Sequence, residues 1–456
     1  NKISKEQKIY ELSVIWKELS YNFANMDNCH GLDIDSLYQM YIPIVQNTKN
    51  DWEYCKVIQR FLAHFNSGHT DIYDIPPYLI PYLARPYIQT TYNNGKIIIE
   101  NVGEFQTENI QIGDEIVTIN GQDALAYFQK FYVPYICTTN EEDKIHKAMF
   151  NVGPAHLLPK GTKITLGIKT EKGIKKVNIY ANKGLKGLGN TGSSKQENWR
   201  IHSLTSSDKN YFAIDTLINF AYIRLTACNQ DFQDYFAEKY PLISTVNNLI
   251  IDISKNKGGS NNFTNSALNL LVDQDTIYSY MMQGKVHNAF GKGYIALVLR
   301  MMPDFDIEKY SSEQISAIKY YKGNAFEDIR HFNNFRDYKN LIDSQNRYKG
   351  KIYVIIGRNT LSAGEGFAIQ LSQSNNTVLL GAKTAGALGN IYPIHLPSGL
   401  VIIMNVVKTY DYQGNDISSG LSPDYEYDFS EFYQTENPNE MLNKFVKIIK
   451  KLETTR

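Results

Sequence analysis

The chain has 456 residues, 43% apolar and 21% charged, and its 47 Lys and Arg balance 47 Asp and Glu. That length exceeds one core of ordinary size, so about two or three domains are expected. A net charge of zero gives no electrostatic ground for nucleic acid or an acidic membrane surface as partner, and no apolar run approaches the roughly 20 residues of a membrane helix.

The opening, "NKISKEQKIY", lacks a signal-type apolar segment. A leader is removed on export, so this does not by itself indicate a cytoplasmic home. Residues 5–66 read as helices. "EQKIYELSVIWKELSYNF" puts Ile9, Leu12, Ile15, Trp16 and Leu19 on one stripe at helical spacing. Asp33 or Asp35 is expected to cap the second helix, "DIDSLYQMYIPIV", and Asp51 the third, "DWEYCKVIQRFLAHF". These stripes are read as helix packing.

From residue 77 to 184 the period changes to two, in "YIQTTY", "GKIIIENV", "DEIVTINGQ", "TKITLGIKT" and "KKVNIYAN". Within it "GDEIVTING" (113–121) is a strand ending in a tight turn, and it resembles the "GDxIxxING" segment of PDZ domains. That resemblance implies a module that binds extended peptide ends by adding a strand to a sheet edge. The alternative is an unrelated small β-barrel. The stretch 186–205, rich in Gly, Ser, Asn and Lys, reads as a linker. Beyond it, "FAYIRLTA", "LIIDIS", "KIYVIIG", "TVLLGA" and "LVIIMNVV" are near-continuous apolar strands separated by helical patterns. They predict an α/β domain over 206–456, with a sheet covered on both faces. Residues 285–348 break the rhythm and read as a helical insertion, a lid or groove wall.

Three segments carry candidate chemistry. In "KIYVIIGRNTLSAGEGF" a buried strand leads through a polar turn to Ser362, just before a helix. Such a serine is either an N-cap or a nucleophile whose neighbouring N–H and helix end face a developing oxyanion. Thr360 stands where a G-x-S-x-G elbow would need glycine. A nucleophilic serine needs a base. His69, in "FNSGHTDIY", lies in a glycine-containing loop leading to Asp71, whereas His64 one turn earlier reads as a packing or surface residue. Third, "NLIIDISKNKGGSNNF" ends a strand at Asp252 and continues to Gly258 and Gly259, which permit close backbone approach and can expose an N–H donor. A flexible connection is the other reading of that pair.

In this order the segments resemble the tail-specific, or C-terminal-processing, serine peptidase family and its tricorn-core and retinoid-binding relatives. The family's "L-x-D-G-H-T", PDZ, "D-L-R-x-N-x-G-G", "T-x-S-A-x-E" and "G-x-x-P-D" stand here as "FNSGHT", "GDEIVTING", "DISKNKGG", "TLSAGE" and "GLSPD". The resemblance covers nearly the whole chain. It implies Ser362 as nucleophile and the Gly259 and Ala363 N–H groups as oxyanion donors, on a crotonase/ClpP-like α/β catalytic core. One family branch uses a lysine 25 positions beyond the serine, where this chain has Ala387, and Lys383 comes four positions too early. The other branch, like the tricorn core, uses the loop histidine, which His69 matches. There a second serine and a glutamate orient the histidine. Ser67 stands near His69, and either Asp416 takes the acid's role beside Ile417 or no carboxylate does.

The expected organisation is therefore an N-terminal helical region (1–76) ending in the His69 loop, a PDZ-like domain (77–185), a linker (186–205) and a catalytic domain (206–456). The expected function is a serine endopeptidase acting through a Ser-His acyl-enzyme on extended or C-terminal peptide segments. The alternatives are a non-catalytic peptide- or hydrophobic-ligand-binding protein on the same fold, favoured by the 33 tyrosines and the missing lysine, or a carboxylesterase. The four cysteines have no metal-type spacing and read as structural thiols. No metal or organic cofactor is expected. The partner is a peptide or protein substrate, not nucleic acid. Family habit implies export to the periplasm or cell surface.

Overall fold

The computed structural model describes residues 2–86, 88–102, 110–149, 156–184, 210–274, 276–278, 280–285, 328–329, 338–339, 346–429, 432 and 437–454. The linker 186–205 and most of the insertion 285–348 lie outside the described residues. The fold is mixed α/β, in two compact units. The first comprises Asn1–Ser203, Gly284–Ile329 and Asn390–Val407, and the second Leu204–Gln283, Arg330–Gly389 and Lys408–Arg456.

In the first unit, helices Lys5–Asn22, Ile34–Gln46 and Asp51–Ala63 follow one another. Leu12, Ile15 and Leu19 are fully buried on the expected stripe. Asp33 caps the second helix through the N–H groups of Asp35 and Ser36. The third helix begins one residue earlier than expected. Asn50, not Asp51, is its cap, accepting the Glu53 N–H. The Asp51 carboxylate is drawn away by the Lys2 N–H at 2.6 Å and the Tyr78 hydroxyl at 3.0 Å.

The hairpin of strands Ile391–His395 and Val401–Asn405 belongs to this first unit, although its apolar pattern reads as one with the C-terminal region. Two interactions explain the attachment. Val401–Asn405 pairs antiparallel with Asp71–Asp74, the strand that the His69 loop feeds. Fully buried Glu11 accepts the Tyr54 hydroxyl at 2.9 Å and, across 387 residues of sequence, the Ser398 N–H at 2.7 Å and its hydroxyl at 2.9 Å.

Between residues 83 and 184 the described strands of this unit form an antiparallel sheet. Its main members are Ile88–Asn93, Lys96–Val102, Glu115–Ile119, Lys163–Thr170 and Gly173–Gly184. Asn120 and Gly121, at φ 51° and 80°, make the two-residue turn that "ING" predicts. Asp123 then caps helix Ala124–Phe131, whose Phe128 packs on Ile116, Ile119, Ile164 and Leu166.

The second unit is built on a six-stranded sheet in the order Tyr211–Asp215, Phe220–Arg224, Asn248–Asp252, Lys351–Ile356, Thr377–Gly381, Tyr425–Glu426. The first pair is antiparallel and every other pair parallel. Alternate residues serve opposite faces. Ile251, Val354 and Leu379 join Phe232, Leu268, Phe367 and Leu371 on one side. Ile250, Tyr353, Ile355 and Leu380 meet Phe445 and Ile449 of helix Pro438–Thr454 on the other. Burial on both faces is why these strands read as continuous apolar runs. Each such side chain contributes about 1.5–3 kcal/mol, and together they hold the strand ends in fixed register beneath the loops described next.

Candidate active site

In the second unit three loops leave the C-terminal ends of adjacent parallel strands, the edge where open α/β sheets bind ligands. They are residues 253–260, 357–362 and 382–389, and hydrogen bonds tie them together. Leu361 N–H donates to the Asn256 carbonyl at 2.8 Å, Ala385 N–H to the Thr360 carbonyl at 3.2 Å, and the Thr360 hydroxyl to the Ile253 carbonyl at 2.9 Å. Thr360, fully buried, does this work where a glycine elbow would have none.

Ser362 sits at the N-cap position of helix Ala363–Leu371 with φ 50° and ψ −119°. A capping serine normally has an extended backbone. Left-handed φ at a non-glycine residue costs of the order of 1–3 kcal/mol and persists only where the surroundings enforce it. The surroundings here are tight. A Cβ on Gly258 would stand 2.7 Å from Ser362 Cβ, and one on Gly259 would stand 2.1 Å from the Cys228 carbonyl oxygen. Both glycines have positive φ, 80° and 139°. They allow the loop to pass between Cys228 and the serine, bonded by Cys228 N–H to Gly258 O at 2.8 Å and Ser260 N–H to Cys228 O at 2.9 Å.

The N–H groups around Ser362 can be accounted for one by one. Gly258 N–H goes to Asn256 Oδ1 at 2.9 Å, Ser362 N–H to Glu365 Oε2 at 3.1 Å, and Gly364 N–H to Leu361 O at 2.9 Å. Among the described residues, Gly259 and Ala363 keep N–H groups that no protein acceptor takes. These are the two donors that the family resemblance implies, and both flank the serine's segment in one unit.

Three residues absent from the sequence-based site, Asn256, Glu365 and Thr384, hold this geometry. Asn256, fully buried, accepts Gly258 N–H and donates to the Leu225 carbonyl at 3.0 Å. Glu365 lies 2% exposed, with Oε1 accepting Thr384 Oγ1 at 2.6 Å and Gly386 N–H at 2.9 Å, and Oε2 accepting the N–H groups of Ala387 at 2.9 Å and Ser362. Burial pushes its carboxyl pKa up, and these four donors oppose the shift. Thr384 passes the connection on, accepting the Leu421 N–H at 2.7 Å and so joining "GLSPD" to the Ser362 turn. The S-x-x-E spacing of Ser362 and Glu365 was a legible signal of a capping-box arm. Thr384 had none.

The lysine positions have other uses. Ala387 is buried and its N–H serves Glu365, while Lys383 Nζ donates to Ser419 Oγ at 2.9 Å. Asp416 is exposed on the turn after Tyr410, its carboxylate accepting the Ser418 N–H at 2.8 Å. Ser67 and His69 belong to the first unit, in the loop between helix Asp51–Ala63 and strand Asp71–Asp74. Buried Ser67 accepts from the Thr70 hydroxyl at 3.2 Å, and Thr70 Oγ1 accepts the Asn405 N–H at 3.2 Å, which anchors the loop to the hairpin. Asp71, just beyond, is held by Gln59 Nε2 at 2.6 Å. Among the described residues no cluster of His, Cys, Asp and Glu is arranged to hold a metal ion, and no helix is long and apolar enough to cross a membrane.

Residues 219–427, which contain Asn256, Gly259, Ser362, Glu365 and Asp416, match the model of peptidase family S41. Among solved structures, the chain is similar to mature CPAF complexed with lactacystin at 14% identity and a TM-score of 0.69, with 99% of each chain covered. It is similar to another crystal structure of mature CPAF at 16% identity and the same TM-score, over 99% of this chain and 98% of that one. At such identity the likeness is one of fold. No curated protein sequence matches the chain.

Proposed function

From the premise that the chain belongs to peptidase family S41, the tail-specific, C-terminal-processing group, and is a serine-type peptidase, we propose that Ser362 is its nucleophile and His69 its general base. The observation that carries this reading is the strained φ of Ser362 beside two unclaimed N–H groups, Gly259 and Ala363.

In the proposed cycle His69 removes the Ser362 hydroxyl proton as Oγ bonds to the scissile carbonyl carbon. The carbonyl oxygen becomes an oxyanion between the Gly259 and Ala363 N–H groups, where fixed donors lower the barrier most. His69 returns its proton to the amine as the C–N bond breaks. A water, deprotonated by the same imidazole, then releases the acyl group and regenerates Ser362. Asp416 and Ser67 are assigned to orienting and steadying the His69 imidazole, the role an acid plays in a triad.

The parallel sheet with Ser362 at its C-terminal edge is read as a crotonase/ClpP-like core, and the antiparallel sheet carrying "GDEIVTING" as a PDZ-like module that holds extended or C-terminal peptide segments. Export to the periplasm or cell surface completes the proposal.

The decisive experiment is labelling with a peptidyl phosphonate, mapped by mass spectrometry on the wild type, Ser362→Ala and His69→Ala. The expected adduct is on Ser362 and is lost in both variants. No adduct on Ser362, or one undiminished without His69, sinks the pair.

A further inference from the structure

The first unit contains a recess of about 480 Å³ between helix Asp51–Ala63, the 29–32 turn, Val133 and Pro134, and the start of helix Asp143–Met149. Its volume falls within the roughly 300–1,000 Å³ usual for small-ligand sites. Its charged wall holds two cations, Arg60 and Lys144, against a single carboxylate, Glu141, with the imidazoles of His30 and His64 beside them. The Arg60 guanidinium stands on the last turn of its helix, exposed, with no hydrogen-bond or ion-pair partner among the described residues. His64 Nε2 is 3.0 Å from the hydroxyl of buried Tyr41, which fixes its ring.

We propose that this recess binds a small oxyanion, a carboxylate or phosphate group, through Arg60, Lys144 and His64. A carboxylate already occupies part of it. Glu141 reaches in from the rim, 74% exposed, and pairs with Lys144 at 2.6 Å, whose own side chain is only 16% exposed. The internal pair shows that a carboxylate fits the lysine, and it leaves Arg60 unmatched. Burial, then Arg60 and then Lys144 push the His64 pKa down, so positive potential reaches the ring. A bound anion reverses the last two influences.

The recess also adjoins the loop that ends in His69. Asn66, held at φ 45°, forms part of its wall and accepts a hydrogen bond from Lys144 Nζ at 3.3 Å. An anion that draws Lys144 and His64 together therefore acts on the segment three residues before His69. Any effect on peptidase activity rests on His69 as base. The binding itself does not.

The test is proton NMR of the His64 imidazole in the full chain, with its resonance assigned by its loss in His64→Gln. Inorganic phosphate and acetate are titrated separately against chloride at constant ionic strength. The expected result is a saturating rise in the His64 pKa, with a midpoint below about 10 mM for at least one anion. The anion with the lower midpoint identifies the ligand as phosphate or carboxylate. Arg60→Gln weakens binding about five-fold or more, and Glu141→Gln tightens it about three-fold by removing the internal competitor. A rise that never saturates, that chloride reproduces, or that Arg60→Gln leaves unchanged overturns the site. Saturable binding with an unaltered peptidase rate upholds the site and counts only against its coupling to His69.

Discussion

The Glu365 carboxylate accepts the backbone N–H of Ser362 at 3.1 Å, and with its remaining capacity holds Thr384, Gly386 and Ala387. One buried acid thus clamps the serine's turn to the next strand's loop. Glu365→Gln tests it, because each carboxylate oxygen accepts at least one main-chain N–H, so an amide NH2 opposes a donor in either orientation. The expected result is a fall in kcat of about ten-fold or more with Ser362 still present.

The same variant has a pH signature. The folded pKa of Glu365 lies above its ordinary value because burial disfavours the charge. The group's stabilising contribution is therefore full below the ordinary carboxylate pKa and is lost as pH rises through the raised one. Wild type minus Glu365→Gln should show a melting-temperature difference that shrinks from pH 4 towards pH 8. A difference that grows with pH would contradict the burial account.

Gly258 and Asn256 set the approach to Ser362. Gly258→Ala places a methyl 2.7 Å from Ser362 Cβ, so the proposed oxyanion donors must move, and kcat should fall about a hundred-fold or more. Asn256→Asp keeps an acceptor for Gly258 N–H but loses the donor to the Leu225 carbonyl and adds negative charge beside the proposed oxyanion site. Its kcat should fall while circular dichroism shows the fold intact.

Glu11 has its effect through the hairpin. Glu11→Ala leaves the buried Tyr54 hydroxyl and the Ser398 N–H and hydroxyl without their acceptor, at about 1–3 kcal/mol for each buried group. Urea denaturation should show the loss. Because the hairpin also pairs with the strand after His69, activity should fall with stability, unlike in Asn256→Asp.

Lys383 distinguishes the two family mechanisms. Its ammonium is engaged with Ser419, so Lys383→Met should keep kcat within about two-fold, and activity should rise with pH in the range where imidazole titrates. A loss of a hundred-fold in this variant would assign the base to Lys383 instead.

Periodicity made most of the elements legible, for local reasons. Leu12, Ile15 and Leu19 fall on one helical stripe, "ING" demands a two-residue turn, and the runs at 248–252 and 351–356 are apolar on both faces because both faces are covered. The cap at Asn50 was missed because Asn and Asp stand side by side there, and the choice between them depends on Lys2 and Tyr78, distant in sequence. The hairpin's attachment was missed for the same reason. An apolar alternating strand states that it pairs, not with which partner, and Glu11 and Ser398 are 387 residues apart.

The candidate site divides along the same line. Residue order and spacing, set beside the motifs of the family that the chain resembles, marked Ser362, the Gly258 and Gly259 pair and His69 as candidates and showed Ala387 where one branch has its lysine, because short motifs record which residue types a turn requires. Three-dimensional packing alone decided that Ser362 takes a left-handed φ, that Gly259 and Ala363 keep N–H groups unclaimed among the described residues, and that Asn256, Glu365 and Thr384 hold them there. Such matters depend on which donors meet which acceptors once the strand ends converge, and no local pattern encodes that count.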